Sequence, residues 1–388
     1  MDKANRSPSA NVKRSVSLDG QLKEFRAALL GWFAQFQRDL PWRRSRDPYR
    51  IWISEIMLQQ TRVAAVIPYY ERFLERFPSV QALATAPEEE VLRTWSGLGY
   101  YSRARNLQQA AKQIVAKYGG EFPRTRAKVL ELAGIGEYTA SAILSIAFAE
   151  QLAVLDGNVA RVVARLDALH GDLRGPGRWR DLQQRADELL ARKEAGDWNQ
   201  AMMELGATLC TPRAPQCLLC PVQQFCEASK LGIADEIPEK RRKRPAVVIR
   251  LAVAVFLDQG RRSLLLPPPA ESNGNKAEDH VPSLVAKLWH FPTVSDSGNA
   301  ESVLKKFLME EFALKGSTHL AFEPLEKVRH TVTYRKIEVV PFLVRIKTLP
   351  TVSGAKAMQL DTILQEPISN LTRKVARAAV KWLAPEKN

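Results

Sequence analysis

The chain has 388 residues, too many for one ordinary hydrophobic core, so two or three domains are expected. Hydrophobic residues make up 45% and charged residues 26%, the balance of a soluble globular protein rather than a disordered or fibrous one. Apolar runs such as Ala140–Ala149 are too short or too interrupted to span a bilayer, and the net charge of +15 suits a polyanionic partner such as nucleic acid.

Residues 1–20, MDKANRSPSANVKRSVSLDG, lack the apolar stretch of a secretory signal and read as a short, flexible, solvated tail. From Leu22 to about Leu231 the apolar period is mostly helical, beginning with Leu22, Phe25, Leu29 and Phe33. Glu55 sits in IWISEIMLQQT, a helix that places Trp52, Leu58 and Gln59 on its face. A carboxyl between Trp and Leu has its charged form disfavoured, so it can stay protonated near neutrality; a surface salt bridge is the plainer fate of a lone glutamate. Further on, an aromatic beside glycine in Leu98-Gly99-Tyr100 is suited to intercalate as a wedge, although Tyr100 can equally be a core residue.

Residues 130–143, LELAGIGEYTASAI, read as a helix ending near Leu132, a tight turn at Gly134-Ile135-Gly136 and a second helix from about Tyr138. Such a turn lets the backbone approach a phosphate at a helix N-terminus, or simply caps a helical hairpin. Asp156 follows an apolar run and precedes a helix near Val159, the position of an N-cap. It could also present its carboxylate to a sugar, and both roles can hold together. Cys210, Cys217, Cys220 and Cys226 are the only cysteines, spaced C-x6-C-x2-C-x5-C. Spacing alone leaves an iron–sulfur cluster and a zinc ion open, while a disulfide pair fits less well with a chain that otherwise looks cytosolic.

A basic stretch over 236–246 reads as a linker, after which the period changes to that of strands. Val247–Leu257 is a strand, Asp258-Gln259-Gly260 a turn, and Ser263–Leu266 a second strand. A helix over Glu301–Leu314, a β-alternating run Val328–Ile346 and a helix over Leu371–Leu383 complete a smaller α+β region over 247–388.

LAGIGEYTASAI, VLDGNVARVVAR and the four-cysteine loop together resemble the endonuclease III superfamily of DNA glycosylases. LPWRRSRDPYRIWISEIMLQQTRV and GLGYYSRARNL narrow the resemblance to adenine DNA glycosylases of the MutY family. It covers most of 38–226 and implies a helix-hairpin-helix fold over 21–235. A six-helix module would occupy about 45–150, and an iron–sulfur module would combine the N-terminal helix with about 151–235. By the same resemblance the four cysteines hold a [4Fe–4S] cluster, with Arg213 and its neighbours meeting DNA phosphates. Glu55 donates the proton to adenine and Asp156 stabilises an oxocarbenium-like transition state, supported by Tyr138 and Asn158. Arg38, Trp42 and Arg43 line the adenine pocket, although Trp42 read alone can be core. Gln60 and Thr61 contact the opposite strand. Tyr138 stands where the bifunctional branch has a lysine nucleophile, and a phenol cannot form an imine, so a monofunctional hydrolase is expected.

LWHFPTV and the helix after it resemble the family's Nudix-like C-terminal domain, which recognises 8-oxoguanine opposite the adenine. Glu301, Glu310 and Glu311 lack the pattern of a catalytic Nudix helix. Val332-Thr333-Tyr334 replaces the family's Phe-Ser-His, leaving Thr333 as a hydroxyl donor, while His330 matches an upstream family histidine or is a core or surface side chain. The expected partner is double-stranded DNA with an A·8-oxoguanine or A·G mismatch, bound by a cytoplasmic bacterial monomer associated with the nucleoid. A bifunctional pyrimidine glycosylase/lyase and a zinc-stabilised, non-catalytic DNA-binding protein are the alternatives.

Overall fold

The computed structural model describes residues 19–175, 177–239, 244–268, 288–312, 314 and 320–384. By its internal contacts the chain divides into two compact units, one of Met1–Ala86 with Arg105–Arg242 and one of Pro87–Ala104 with Lys243–Asn388. The helices are α1 (Asp19–Phe36), α2 (Pro48–Leu58), α3 (Val63–Arg76), α4 (Val80–Thr85), α5 (Glu88–Trp95), α6 (Ser102–Tyr118) and α7 (Arg126–Leu130). They continue as α8 (Glu137–Phe148), α9 (Gly157–Leu166), α10 (Arg178–Leu189), α11 (Ala195–Thr208), α12 (Glu227–Lys230), α13 (Ala300–Glu311) and α14 (Asn370–Leu383). Most of the expected tail lies outside the described residues, but Asp19 and Gly20 already belong to α1. Residues 240–243 of the expected linker and Ala313 of the expected helix also lie outside them.

In the first unit α1 buries Phe25, Leu29 and Phe33, four residues apart, as an amphipathic helix must. Its Arg26 guanidinium donates to the carbonyls of Glu188 and Leu189 at the end of α10, each at 3.0 Å, supplying partners that a helix C-terminus lacks. By contrast, α8 is buried along Thr139–Ile146 and packs between α2 and α11. A Cβ at Gly196 would lie 2.7 Å from the Ser145 carbonyl, and one at Gly206 would lie 2.8 Å from the Asn158 Cβ. Two glycines on α11 therefore let it approach α8 and the start of α9 at backbone distance. Asn199, wholly buried on the same helix, donates to Ser145 Oγ and the Leu152 carbonyl, both at 2.8 Å, and accepts from the Val154 amide at 3.1 Å. This ties down the extended run that leads into α9.

The second unit holds a sheet in the order β3-β1-β6-β4, with β5 also on β6, from β1 (Val247–Leu257), β3 (Thr293–Ser295), β4 (Phe322–Pro324), β5 (Val328–Val332) and β6 (Arg335–Arg345). β1 and β6 run parallel from Val247↔Arg335 to Leu257↔Arg345. Alternate residues of β1 serve two cores: Leu251, Val253 and Val255 pack with Leu371, Val375 and Ala379 of α14, while Ala252, Ala254 and Phe256 pack with Leu304 and Leu308 of α13. β2 (Arg262–Leu265) leaves β1 after the turn and pairs instead with β7 (Lys356–Gln359). The continuous β run expected over Val328–Ile346 is a hairpin, broken where Thr333 takes a φ of 56°. By internal contacts, Pro87–Ala104 groups with this second unit.

Candidate active site

A cleft of about 460 Å³ opens in the helical unit, and Glu55, Tyr138, Asp156 and Asn158 all line it. Glu55 comes from α2, a helix started by Asp47, whose side chain accepts from the Tyr49 amide at 2.9 Å, with Pro48 in its first turn. Tyr49 and every residue from Ile51 to Met57 are buried, because α2 packs against α8 and α3. Glu55 is not a surface residue: it is 6% exposed, and its Oε2 accepts from the Tyr138 hydroxyl at 2.7 Å. Burial pushes its pKa up to about 7; the Tyr138 hydrogen bond and the charge of Arg43 oppose the rise, and Asp156 adds to it. Trp52 does not flank the carboxyl in the cleft. It is wholly buried, edge-on to Phe122 at 5.7 Å, because α2 is enclosed on more than one side. Leu58 and Gln59 do line the cleft.

Asp156 is the N-cap of α9. Its Oδ1 accepts from the amides of Asn158 at 2.9 Å and Val159 at 2.7 Å, and its Oδ2 accepts from Asn158 Nδ2 at 3.1 Å. Burial raises its pKa, against hydrogen bonds and the Arg161 charge that favour the anion. Capping and presentation to the cleft are thus one arrangement. Arg161 continues it, donating to Asn158 Oδ1 at 3.0 Å, the Gly206 carbonyl at 2.8 Å and the Cys210 carbonyl at 2.9 Å.

Arg38, Trp42 and Arg43 form another part of the wall, together with Glu204, which the sequence reading did not single out. Glu204 accepts from Arg38 Nε at 2.6 Å and Nη2 at 2.7 Å, and from Arg43 Nη2 at 2.8 Å. Arg43 Nη1 also donates to the Arg38 carbonyl at 3.1 Å, and its guanidinium lies over the Phe33 ring. Burial would raise the Glu204 carboxyl, but the two arginines overcome it and pull its pKa down to about 2. The only signal in sequence is the acidic residue in MMELGAT, some 160 positions from its partners. Trp42 is buried, edge-on to Tyr70, and still contributes to the wall, so core and site are not exclusive there. Gln60, exposed with a φ of 57°, and Thr61 stand at the rim.

The remaining predicted residues are elsewhere. In the hairpin, Gly134 has a φ of 75°, and a Cβ there would lie 2.7 Å from the Asn106 Cβ, so its missing side chain serves internal packing. Gly136, the N-cap of α8, would meet nothing within 4 Å and leaves the backbone open. Leu98-Gly99-Tyr100 belongs to the second unit; Leu98 is buried, so only Tyr100 presents an aromatic side chain outward. Thr333 is exposed at the β5–β6 tip, where its hydroxyl donates to the Val332 carbonyl at 2.7 Å. His330 is half-buried in β5, its pKa lowered by burial and by Lys374.

The four cysteines are free thiols, half-buried, and line one small cavity with Arg165. Burial first, and repulsion from the neighbouring thiols besides, push Cys220 up to about 12. Arg165 Nη1 donates to Cys210 Sγ at 3.2 Å, while its Nη2 is buried with no hydrogen-bond partner among the described residues. Four sulfurs around one space, with an unspent donor beside them, fit the thiolate set of a metal centre that carries negative charge. As the side chains stand, no group of three or more His, Cys, Asp or Glu among the described residues is arranged to hold a metal ion, the four cysteines included.

The family model for HhH-GPD superfamily base excision DNA repair proteins matches residues 53–183. An adenine DNA glycosylase from Homo sapiens is 34% identical over 406 residues, covering 92% of this chain and 74% of its own length. One from Mus musculus is 48% identical over 213 residues, 53% of this chain but only 41% of that protein. A solved thermostable thymine-DNA glycosylase superposes with a TM-score of 0.50 and 29% identity over 54% of this chain and 97% of that one.

Proposed function

The chain belongs to the adenine DNA glycosylase family and is a base-excision DNA glycosylase; from that premise we propose that it hydrolyses the N-glycosidic bond of adenine mispaired with 8-oxoguanine or guanine. The observation that carries the proposal is the pairing of unlike carboxyls in one cleft: Glu55, raised by burial to about 7 and bonded to one neutral hydroxyl, and Asp156, whose rise by burial is opposed by three hydrogen bonds and the Arg161 charge. Adenine, flipped from the duplex, takes the Glu55 proton on a ring nitrogen. The bond from the base nitrogen to the sugar C1′ breaks, and its electron pair leaves with adenine. The Asp156 carboxylate stabilises the positive charge on the sugar until water adds at C1′. The Glu55 carboxylate can then take the proton released by that water and return to its starting state. Arg38, Trp42 and Arg43 shape the base pocket.

Tyr138 supports a monofunctional reaction, because its hydroxyl is engaged with Glu55 and, among the described residues, no lysine lines the cleft. Cys210, Cys217, Cys220 and Cys226 would hold a [4Fe–4S] cluster, which supplies a rigid negative centre for the loop and no step of the hydrolysis. The second unit would act as the Nudix-like reader of the opposite base, with Thr333 and His330 nearest in type to the family's lesion contacts. A monomer acting on double-stranded DNA in the bacterial cytoplasm completes the reading. The test is alkali cleavage of duplexes carrying A·8-oxoguanine, A·G or thymine glycol. Strand breaks at adenine in the first two are expected, and breaks only at thymine glycol would overturn the proposal.

A further inference from the structure

The loop between α5 and α6 has an unusual backbone. Gly97, Gly99 and Tyr100 take φ values of 110°, 74° and 49°, so three of four consecutive residues are left-handed, and Tyr100 is not a glycine. A tyrosine persists there only where its surroundings fix it. Part of the fixing is local: Arg103 Nη2 and Trp95 Nε1 both donate to the Gly99 carbonyl at 3.2 Å, and the Arg103 guanidinium lies over the Tyr100 ring at 5.5 Å.

The rest comes from the start of α14 and the residues before it. Arg373 Nη2 donates to Ser96 Oγ at 2.6 Å, and its Nη1 donates to the Leu364 carbonyl. Asn370 Nδ2 approaches the Gly97 carbonyl at 3.4 Å. The Tyr101 hydroxyl donates to the Ile368 carbonyl at 2.9 Å and accepts from the Gly97 amide at 3.3 Å. A charged pair of Lys356 with Glu89, and of Lys356 with Glu366 at 3.4 Å, fastens α5 to β7 in the same unit. What this grip leaves outside is the ring of Tyr100, 44% exposed.

We propose that Arg373 and Asn370 are positioning residues that set the Tyr100 loop for insertion into the duplex, so that the wedge is held by the same unit that carries the Thr333 tip. Their guanidinium and amide fix the entrance of the loop at Ser96 and Gly97, and the left-handed turn behind them aims Tyr100. The inference rests on the reading of Tyr100 as the wedge. It assigns α14 a part in base flipping that its sequence, an amphipathic basic helix, does not announce.

The test uses full-length protein and a duplex with 2-aminopurine beside the target adenine, whose fluorescence reports unstacking apart from bond cleavage. Arg373→Ala and Asn370→Ala, and Ser96→Ala as a variant that leaves α14 untouched, are compared with Tyr100→Ala and Arg373→Lys. Expected is a loss of most of the unstacking signal and a fall of about tenfold in single-turnover base release. Affinity for undamaged duplex and the pH profile should be unchanged, and Arg373→Lys should restore part of the signal. Full unstacking in Arg373→Ala, Asn370→Ala and Ser96→Ala, where Tyr100→Ala has lost it, overturns the inference while sparing the wedge. Full unstacking in Tyr100→Ala overturns both.

Discussion

Glu55 and Glu204 line the same cleft and are both removed from water, yet one is held near pKa 7 and the other near 2. Their backgrounds are alike: each sits on a helix packed into the core, and each is nearly inaccessible. They differ in partners. Glu55 receives one neutral hydroxyl, whereas Glu204 receives two guanidinium groups through three short hydrogen bonds to their nitrogens. Burial sets a proton donor where no cation is hydrogen-bonded to the carboxyl, and the same burial with two guanidinium groups bonded to it makes a fixed anion.

The sharpest way to break this contrast is Glu55→Gln, which removes the transferable proton but keeps an acceptor for Tyr138. Base release should fall at least about a thousandfold, with duplex binding within a few-fold, as read by single-turnover excision and a gel-shift titration. The same variant has a signed effect on stability. Glu55 is raised from 4.5 to about 7 on folding, so its contribution is intact below the lower value and lost as pH rises through the upper one. Chemical denaturation should therefore find Glu55→Gln more stable than wild type by up to about 3 kcal/mol at about pH 8, with the difference gone near pH 4.

Glu204→Gln attacks the other member. Two arginines lose their common anion, and Arg43 already acts to lower the Glu55 pKa. Base release at neutral pH should drop roughly a hundredfold, and the alkaline fall of the rate should move to lower pH. Stability should drop by about 1 to 3 kcal/mol, less than for stranding fully buried cations, because the Arg38 side chain is 38% exposed. A rate profile that keeps its alkaline limb in place would separate Glu204 from the acid altogether. A smaller effect is expected at Gly206, where an alanine Cβ would press within 2.8 Å of Asn158. Excision should slow about tenfold, with about 1 to 3 kcal/mol lost on thermal unfolding. Smallest of all, Tyr138→Phe removes a hydrogen bond that lowers the Glu55 pKa. The alkaline limb should shift upward in pH while the plateau rate at low pH changes only a few-fold, the opposite sign to Glu204→Gln.

Local features were legible in the sequence wherever one segment carried its own explanation. The N-cap at Asp156, the turn of the hairpin, the cysteine cluster and the alternation of β1 all follow from neighbours within a few positions. What was not legible depends on distant partners. Glu204 has no meaning without Arg38 and Arg43, Trp52 was placed by periodicity on a face that enclosed packing takes elsewhere, and Gly134 needs Asn106 to explain it. Nothing inside Pro87–Ala104 names Ile368 or Arg373 as its companions either.

That last arrangement has a consequence for how the protein is made. Ser96 and Arg373 are separated by 277 positions, and Gly97 and Asn370 by 273. At about 5 to 20 residues per second, a ribosome takes roughly 15 to 55 s to deliver the second partner after the first. Throughout that interval the helical unit can be synthesised and packed, while the Tyr100 loop still waits for the chain that shapes it. A nascent protein would thus hold its carboxyls in place before its wedge, and competence to open a duplex would come only as α14 leaves the ribosome.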